Sequence, residues 1–556
     1  MHLPLALLLL LLHTIPALGT PQNEQFEEHL TLRPLPDGKV HAQFRFITTV
    51  SDPLKGVPFD LADREEALHT TLLPLSLTQL LRTYYTPELH LSLNAGKWDP
   101  LRWGQPGGAL RTGAEMWAWV TDSRAPSGEG EGEGEGEGEG GRWQGLTNGL
   151  AGLFCASLSS QMEQRTTSPR LAFRPEGDLP SYTPHKLYHA SHPSESICTE
   201  NLTPFLKLLP CKSRAGIAQL LNPHRAFDAD WHGMGVHVRW SNSSAGGETE
   251  VRMEVGVVFD PVRVSGGKRE WSLKSLFDRT ITRSCPAASS SVLTVQLPEE
   301  MHELLPQPAK MLSSDGVFEA VYDLGSVGEE MDVGMRWLED RFDYATVRYT
   351  PPELIIRRAL KGGSTGLSEL SVILSNTRAE PRRVLYVETL PWFISLFLHT
   401  LQTEVDGVAR DDIIQSISYL PPVSPKPTLL EITLLLPASS EVHLTMQAEK
   451  GFIRYTEHQP DASRGWDLPA AVVFPLPLNA SSSPAKVAIG GGEGEGRIYS
   501  STLLVDLPTP DFSMPYNVII MSSTLVALFF GSVFNCLTRR FVVLRMPAEK
   551  GKGKAS

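Results

Sequence analysis

From Asn517 to Leu537 the chain carries no charged side chain and is dense in Val, Ile, Leu and Phe. About 21 residues at about 1.5 Å each reach roughly 30 Å, the thickness of a bilayer's hydrocarbon core. No other feature constrains the fold as strongly, because such a segment leaves water for lipid and divides the chain between two compartments. Arg539, Arg540 and Arg545 follow it, with Lys550, Lys552 and Lys554 behind them, whereas Asp506 and Asp511 precede it. The positive-inside rule then predicts a lumenal body and a cytosolic tail over 538–556. That polar extension also separates the segment from the removable tail of a lipid-anchored precursor, which ends on its apolar stretch.

The other end agrees. An apolar run from Leu3 to Leu12, then Pro16 and the small residues Ala17 and Gly19, predicts a signal peptide over 1–19 and a mature chain from Thr20. Lys552 and Lys554, five and three places from the end, resemble a dilysine signal for return to the endoplasmic reticulum; a solvated basic tail is the plain alternative. A net charge of −13 and the lack of a basic stripe with interleaved aromatics exclude a nucleic-acid partner. Of the five cysteines, Cys536 falls inside the span. Cys155, Cys198, Cys211 and Cys285 remain, enough for two internal bridges or for fewer with thiols left to a partner. Asn201, Asn242 and Asn479 open glycosylation sequons, the first followed by Pro204.

Between the ends, strand patterns dominate. Val40, Ala42, Phe44 and Phe46 alternate with polar neighbours, as do Leu89, Leu91 and Leu93, then Val251, Met253, Val255 and Val257, then Val442, Leu444 and Met446. Such alternation buries one face of an antiparallel sheet and leaves the other wet or covered by a neighbour. Trp117 and Trp119 share one face of a further strand, and Leu77, Leu80, Leu81 and Tyr84 mark a short amphipathic helix. The alternating Glu-Gly tract over Gly128–Gly141, echoed at Gly490–Gly496, reads as a solvated, extended insertion. The expected fold is mainly β, with β-sandwich-type lumenal domains, a few helices and one C-terminal transmembrane helix. We divide it into an N-terminal β-rich region (20–285), a sandwich-like region (286–510), a juxtamembrane segment (511–516), the span (517–537) and the tail.

Enzyme templates fail. There is no Walker loop, GxGxxG, HExxH or CxxC, and the 16 histidines have no ligand spacing, so neither cofactor nor metal is expected. Gly362-Gly363-Ser364-Thr365-Gly366 fits GxSxG, but a nucleophile elbow needs a helix after the serine. The next stretch, Leu367 to Asn376, reads as a strand, so the motif predicts a Gly-rich hairpin turn rather than a hydrolase.

Several blocks carry a resemblance: CTENLTPFLKLLPC (Cys198 to Cys211), LPTPDFSMPYNV (Leu507 to Val518), FCASL (Phe154 to Leu158), WSLKSLF (Trp271 to Phe277) and LPWFISLFLHTL (Leu390 to Leu401). Together they resemble the PIG-T family, a subunit of glycosylphosphatidylinositol (GPI) transamidase, from about Phe26 to Arg540. That complex removes a C-terminal signal from a precursor protein and joins the new carboxyl end to a preassembled GPI lipid in the endoplasmic reticulum. The resemblance implies a non-catalytic subunit, partnered with a caspase-like catalytic subunit and the other membrane subunits. It implies an interchain disulfide from Cys198 to the catalytic subunit; Cys198, among polar neighbours, suits exposure, and Cys155, after Leu153 and Phe154, suits burial. Cys211 and Cys285 are then the expected internal pair, against the alternative of Cys198 with Cys211. It further implies that Asp511, Ser513 and Asn517 meet the GPI lipid, as does the position of Ser463, where a shorter serine replaces the family's asparagine. An adhesion or receptor ectodomain shares the topology, and a Ser364 hydrolase is the remaining alternative.

Overall fold

The computed structural model describes residues 24–52, 71–104, 111–121, 139–158, 163–180, 184–193, 198–243, 246–298, 302–314, 317–325, 330–337, 341–362, 366–458, 464–478, 496–508, 513–540 and 543–544. The expected signal peptide, most of the Glu-Gly tract, Ser364, Ser463, Asn479, Asp511, Lys552 and Lys554 lie outside them. The chain divides into two units, one within 1–451 and 465–507, the other within 452–464 and 508–556.

The larger unit is built on a long sheet of eleven strands among the described residues. In spatial order these are Lys310–Ser314, Val317–Asp323, Ser290–Leu297, Glu24–Pro34, Val40–Asp52, Gly246–Phe259, Trp231–Ser243, Glu88–Ala95, Gly113–Thr121, His185–His192 and Thr166–Thr167. The period-2 pattern sends Phe44, Leu91, Met116, Val236, Met253 and Leu293 into one core on one face. Each large apolar side chain buried there contributes about 1.5–3 kcal/mol. All pairings among these strands are antiparallel except one: Glu24–Pro34 runs parallel to Ser290–Leu297. A parallel neighbour needs a long crossover, and the chain supplies one by returning only after the rest of the N-terminal region has been laid down.

This return moves a boundary. The expected division at 285/286 does not separate the sheets, because Ser290–Leu297, Lys310–Ser314 and Val317–Asp323 still belong to the long sheet. The sandwich begins with Leu354–Lys361.

Its two sheets draw strands alternately from the sequence. One runs Leu354–Lys361, Leu367–Asn376, Ser440–Lys450, Gln402–Val405, Val408–Ala409, with Ile394–Leu396 also paired to Ser440–Lys450; the other runs Ile414–Leu420, Thr428–Leu436, Arg382–Leu390, Val472–Leu476, Ile498–Tyr499. Leu354–Lys361 and Leu367–Asn376 pair antiparallel, Lys361 opposite Glu369, on either side of the GxSxG motif. A strand, not a helix, comes after the motif, as a hairpin requires and a nucleophile elbow does not.

Among the described residues, three helices of nine residues or more cover the apolar face of the long sheet, beside short ones such as Leu273–Phe277. α1 (Leu75–Thr83) buries Leu77 and Leu81 of the expected stripe, while Leu80 and, just past the helix end, Tyr84 are half-buried against the same core. α2 (Glu139–Phe154) buries Trp143, Leu146, Leu150 and Phe154, and α3 (Thr199–Leu208) buries Leu202 and Phe205. The end of the Glu-Gly tract departs from expectation: Glu139, Gly140 and Gly141 are the first residues of α2. Gly145 and Gly149 have a physical reason, since a Cβ at either would collide, with the Tyr84 ring in one case and with Leu80 Cδ2 in the other.

The opposite face of the long sheet buries many polar side chains, and part of it is covered by the sandwich. Trp117 and Leu187 pack there, with Phe173, against Leu385, Val387, Leu429 and Val472. The sandwich sheet that meets them is covered on both sides, and Thr428–Leu436 is buried almost throughout.

In the smaller unit, α4 (Ser513–Thr538) contains an apolar stretch from Tyr516 to Thr538, 23 residues long, one residue wider at each end than expected. Two of its hydroxyls are satisfied locally: Ser522 donates to the Val518 carbonyl at 2.7 Å and Thr524 to that of Ile520 at 2.8 Å. In hydrocarbon, which offers no hydrogen-bond partners, this removes the cost of the polar group.

Candidate functional site

The segment Cys198–Cys211 carries a cysteine at each end, and the two have different fates. Cys198 is the N-cap of α3, with extended backbone (φ −136°) and an exposed, free thiol. Three residues on, Asn201 points inward. Its Oδ1 accepts the Cys198 N–H at 2.7 Å, and its Nδ2 donates to the carbonyls of Phe154 (2.8 Å) and Cys155 (3.1 Å). One amide thus satisfies the start of α3 and the end of α2 together. An isolated helix start leaves its first N–H groups without partners, which is why an Asn at this spacing acts as the second half of a capping box.

This geometry corrects the first sequon. Asn201 is 1% exposed and both hydrogens of its amide are engaged, so a glycan on Nδ2 would break the junction and has no room. Asn242 lies near the end of Trp231–Ser243.

Cys155 also departs from expectation. It is exposed rather than buried, because α2 ends at Phe154, which takes the buried position, and Cys155 turns out with φ +51°. The two apolar residues before it mark the helix face, not its end.

At the other end of the segment, Cys211 is joined to Cys285 by a disulfide with a Cα–Cα distance of 6.0 Å. It ties the exit of α3 to the chain that leads into Ser290–Leu297, across 74 residues of sequence. On the same side of the sheet, the Glu28 carboxylate accepts from Ser291 Oγ at 2.6 Å and from the Ile217 N–H at 3.3 Å; burial raises its pKa against the pull of those bonds.

The densest buried group of ionisable side chains among the described residues lies on the other face of the long sheet. Glu115 accepts from Arg111 at 2.8 Å, His189 at 3.0 Å and Tyr499 at 2.5 Å. Burial pushes its pKa up, but His189, Arg111 and Arg497 hold it far below the usual carboxylate range. Glu88 accepts the N–H groups of Glu176 and Gly177, and Glu431, from the sandwich, those of Arg170, Leu171 and Ala172. One strap of chain is therefore clamped by a carboxylate from each layer. Glu176 is held at about 2: burial opposes this, and His90 and Arg497 outweigh it. Burial lowers His189 and drives His237 well below its ordinary value. Every carboxylate in this group is engaged by groups of the chain itself, an arrangement that fastens two layers together.

Ser513 begins α4, and Asn517 is exposed in its first turns, so both stand at the end of the apolar stretch that the chain enters first.

The sequence pattern of the family described as "Gpi16 subunit, GPI transamidase component" matches residues 9–270 and 261–555. The chain is 35% identical over 576 residues to the GPI-anchor transamidase component PIGT of Homo sapiens, covering 97% of this chain and 95% of that one. It is 30% identical over 573 residues to the GPI transamidase component GPI16 of Saccharomyces cerevisiae, covering 93% and 89%. The Schizosaccharomyces pombe PIG-T homolog is 31% identical over 490 residues, 85% and 83% of the two chains.

Proposed function

Because the chain belongs to the Gpi16 family of GPI transamidase components, we propose that it serves that complex as a structural and substrate-guiding subunit, with acyl transfer carried out by a caspase-like cysteine subunit. The complex attaches preassembled GPI to the C-terminus of precursor proteins at the endoplasmic reticulum membrane. In this reading the β body lies in the lumen, α4 crosses the bilayer and the basic tail is cytosolic, with Lys552 and Lys554 as the retrieval signal.

The observation that carries the reading is the contrast within one segment. Cys211 already has an internal partner, while Cys198 presents a free, exposed thiol from a helix start that Asn201 holds in place. A fixed, exposed thiol in an oxidising compartment suits an interchain disulfide, which raises the effective concentration of the partner surface without new contacts. Asp511, Ser513 and Asn517, with Ser463, supply carboxylate, hydroxyl and amide groups that match the sugar hydroxyls, amines and phosphates of a GPI headgroup.

The test is non-reducing electrophoresis of the purified membrane complex. Wild type is expected to give a disulfide-linked heterodimer with the catalytic subunit, and Cys198→Ser to lose it. A heterodimer that survives the substitution overturns the assignment of Cys198.

A further inference from the structure

We propose that the loop from Phe452 to His458 is a membrane-surface anchor: the Phe452 ring enters the lumenal leaflet of the bilayer that α4 crosses, with the Arg454 guanidinium at its lipid phosphates. The proposal rests on the topology of the reading above and adds a membrane contact outside the span.

Three observations carry it. First, Phe452 is 69% exposed, more than any other large apolar side chain among the described residues outside α4 and the tail behind it. Single exposed apolar residues are common on protein surfaces, so position and rigidity decide what this one means. Second, the position is beside the span. Phe452–Arg464 forms one compact unit with Pro508–Ser556, the stretch that contains α4. Both ends of the loop lie against Val505 and Asp506, from which the chain enters α4 about seven residues later. At the exit, Trp466 pairs with Val505, and a Cβ on Gly465 would come within 2.8 Å of the Val505 carbonyl oxygen. At the entry, burial lowers the pKa of Lys450 and the nearby Asp506 carboxylate opposes it. Third, the loop is held. Just before Phe452 the Gly451 N–H donates to the Phe393 carbonyl at 2.7 Å, and just after it Ile453 is buried. A 3₁₀ turn then closes on itself: the Arg454 N–H donates to Glu457 Oε2 at 2.7 Å and the Glu457 N–H to the Arg454 carbonyl at 2.9 Å.

At a bilayer interface such a ring leaves water for acyl chains while its backbone stays among the headgroups. A loop that is already ordered loses little conformational freedom on entering, so the apolar gain is not offset by ordering. Arg454 is exposed, and its planar guanidinium matches the phosphate oxygens that every glycerophospholipid presents. A partner protein is the other class of cover. The bilayer is favoured because the unit that carries Phe452 is the one that carries the span. One helix alone leaves the chain above it free to swing about its tether, and a second contact at the surface removes that freedom.

The experiment uses the full chain, assembled with its partners in native membranes, with the photo-crosslinking residue p-benzoylphenylalanine placed at one position at a time. Phe452 is the test position. Phe318 and Val408, exposed in the larger unit, are the water-facing controls, and Phe529 in α4 is the hydrocarbon control. After irradiation the chain is purified and digested, and lipid and protein adducts at each position are read by mass spectrometry. About tenfold more glycerophospholipid adduct is expected at Phe452 than at Phe318 or Val408. Arg454→Glu should lower the Phe452 adduct several-fold by repelling lipid phosphate, and an unchanged yield overturns the part given to Arg454. Lipid adduct at Phe529 with none above the controls at Phe452 overturns the proposal and leaves the span standing. Adducts at Phe452 with protein, or with GPI alone, overturn it in favour of a subunit interface or a substrate contact. If neither Phe452 nor Phe529 gives a lipid adduct, the reading of α4 as a span falls, and the proposal with it.

Discussion

The two faces of the long sheet are both buried over part of their area, yet by different means. Under α1, α2 and α3 the face is apolar, with Phe44, Leu91 and Val236 in one core with helix side chains such as Leu81, Phe154 and Phe205. The other face carries Glu88, His90, Glu115 and His189, all buried, and His237, half-buried. Burial of apolar area is indifferent to pH, whereas a buried ion network holds only in one protonation state. The first face makes a stable platform for α3 and its cysteines; the second joins two layers by matched charge.

That contrast is broken most sharply by acid. On the polar face burial lowers His41 to about 3, with His189 and His237 lowered as well. An imidazole whose pKa is lower in the fold than in the unfolded chain contributes stability present above about pH 6.5, and loses it as pH falls. Glu115 and Glu176, held low, add a loss of the same sign below about pH 4.5. Glu28, on the helix side, has the opposite sign, because its raised pKa makes folding easier as pH falls. Denaturant unfolding from pH 7 to pH 5 should therefore show stability falling by up to about 1.4 kcal/mol per pH unit for each fully buried imidazole. A flat profile would mean that the polar face is not buried in solution.

Substitutions sharpen the contrast in decreasing order. Glu115→Ala strands Arg111, His189 and Arg497 and should cost about 3–5 kcal/mol, measured by chemical denaturation. Cys211→Ser opens the 74-residue loop and should cost about 4 kcal/mol on the helix side. Asn201→Ala leaves two carbonyls and one N–H at the helix junction without their partner, a loss of about 2 kcal/mol. Cys198→Ser, at an exposed position, should change stability by less than about 0.5 kcal/mol while removing the heterodimer.

The apolar face was legible in sequence because strands place every second residue on it, and Val40 to Phe46 or Val251 to Val257 can be read directly. The membrane helix was legible for a similar reason, as length and composition suffice. The polar face was not. His90 or Glu115 on an alternating strand reads as solvated, and only the three-dimensional path that lays Arg382–Leu390 and Val472–Leu476 over this side of the sheet turns it inward. The parallel return of Ser290–Leu297 was hidden likewise, since register between distant strands leaves no local signature. At the candidate site, the resemblance singled out Cys198, but the sequon pattern misled at Asn201. The same residue that begins Asn-x-Thr is the third of a capping box, and burial decides between them.

Whether this chain is a working GPI transamidase component, and not itself the catalyst, is tested most directly by complementation. Cells lacking their own subunit of this family are given the full chain, and surface display of a GPI-anchored reporter is measured by flow cytometry. Wild type and Ser364→Ala are expected to restore display equally. No restoration by a chain that is expressed and membrane-inserted would contradict the assignment, and restoration by wild type alone would contradict the non-catalytic role.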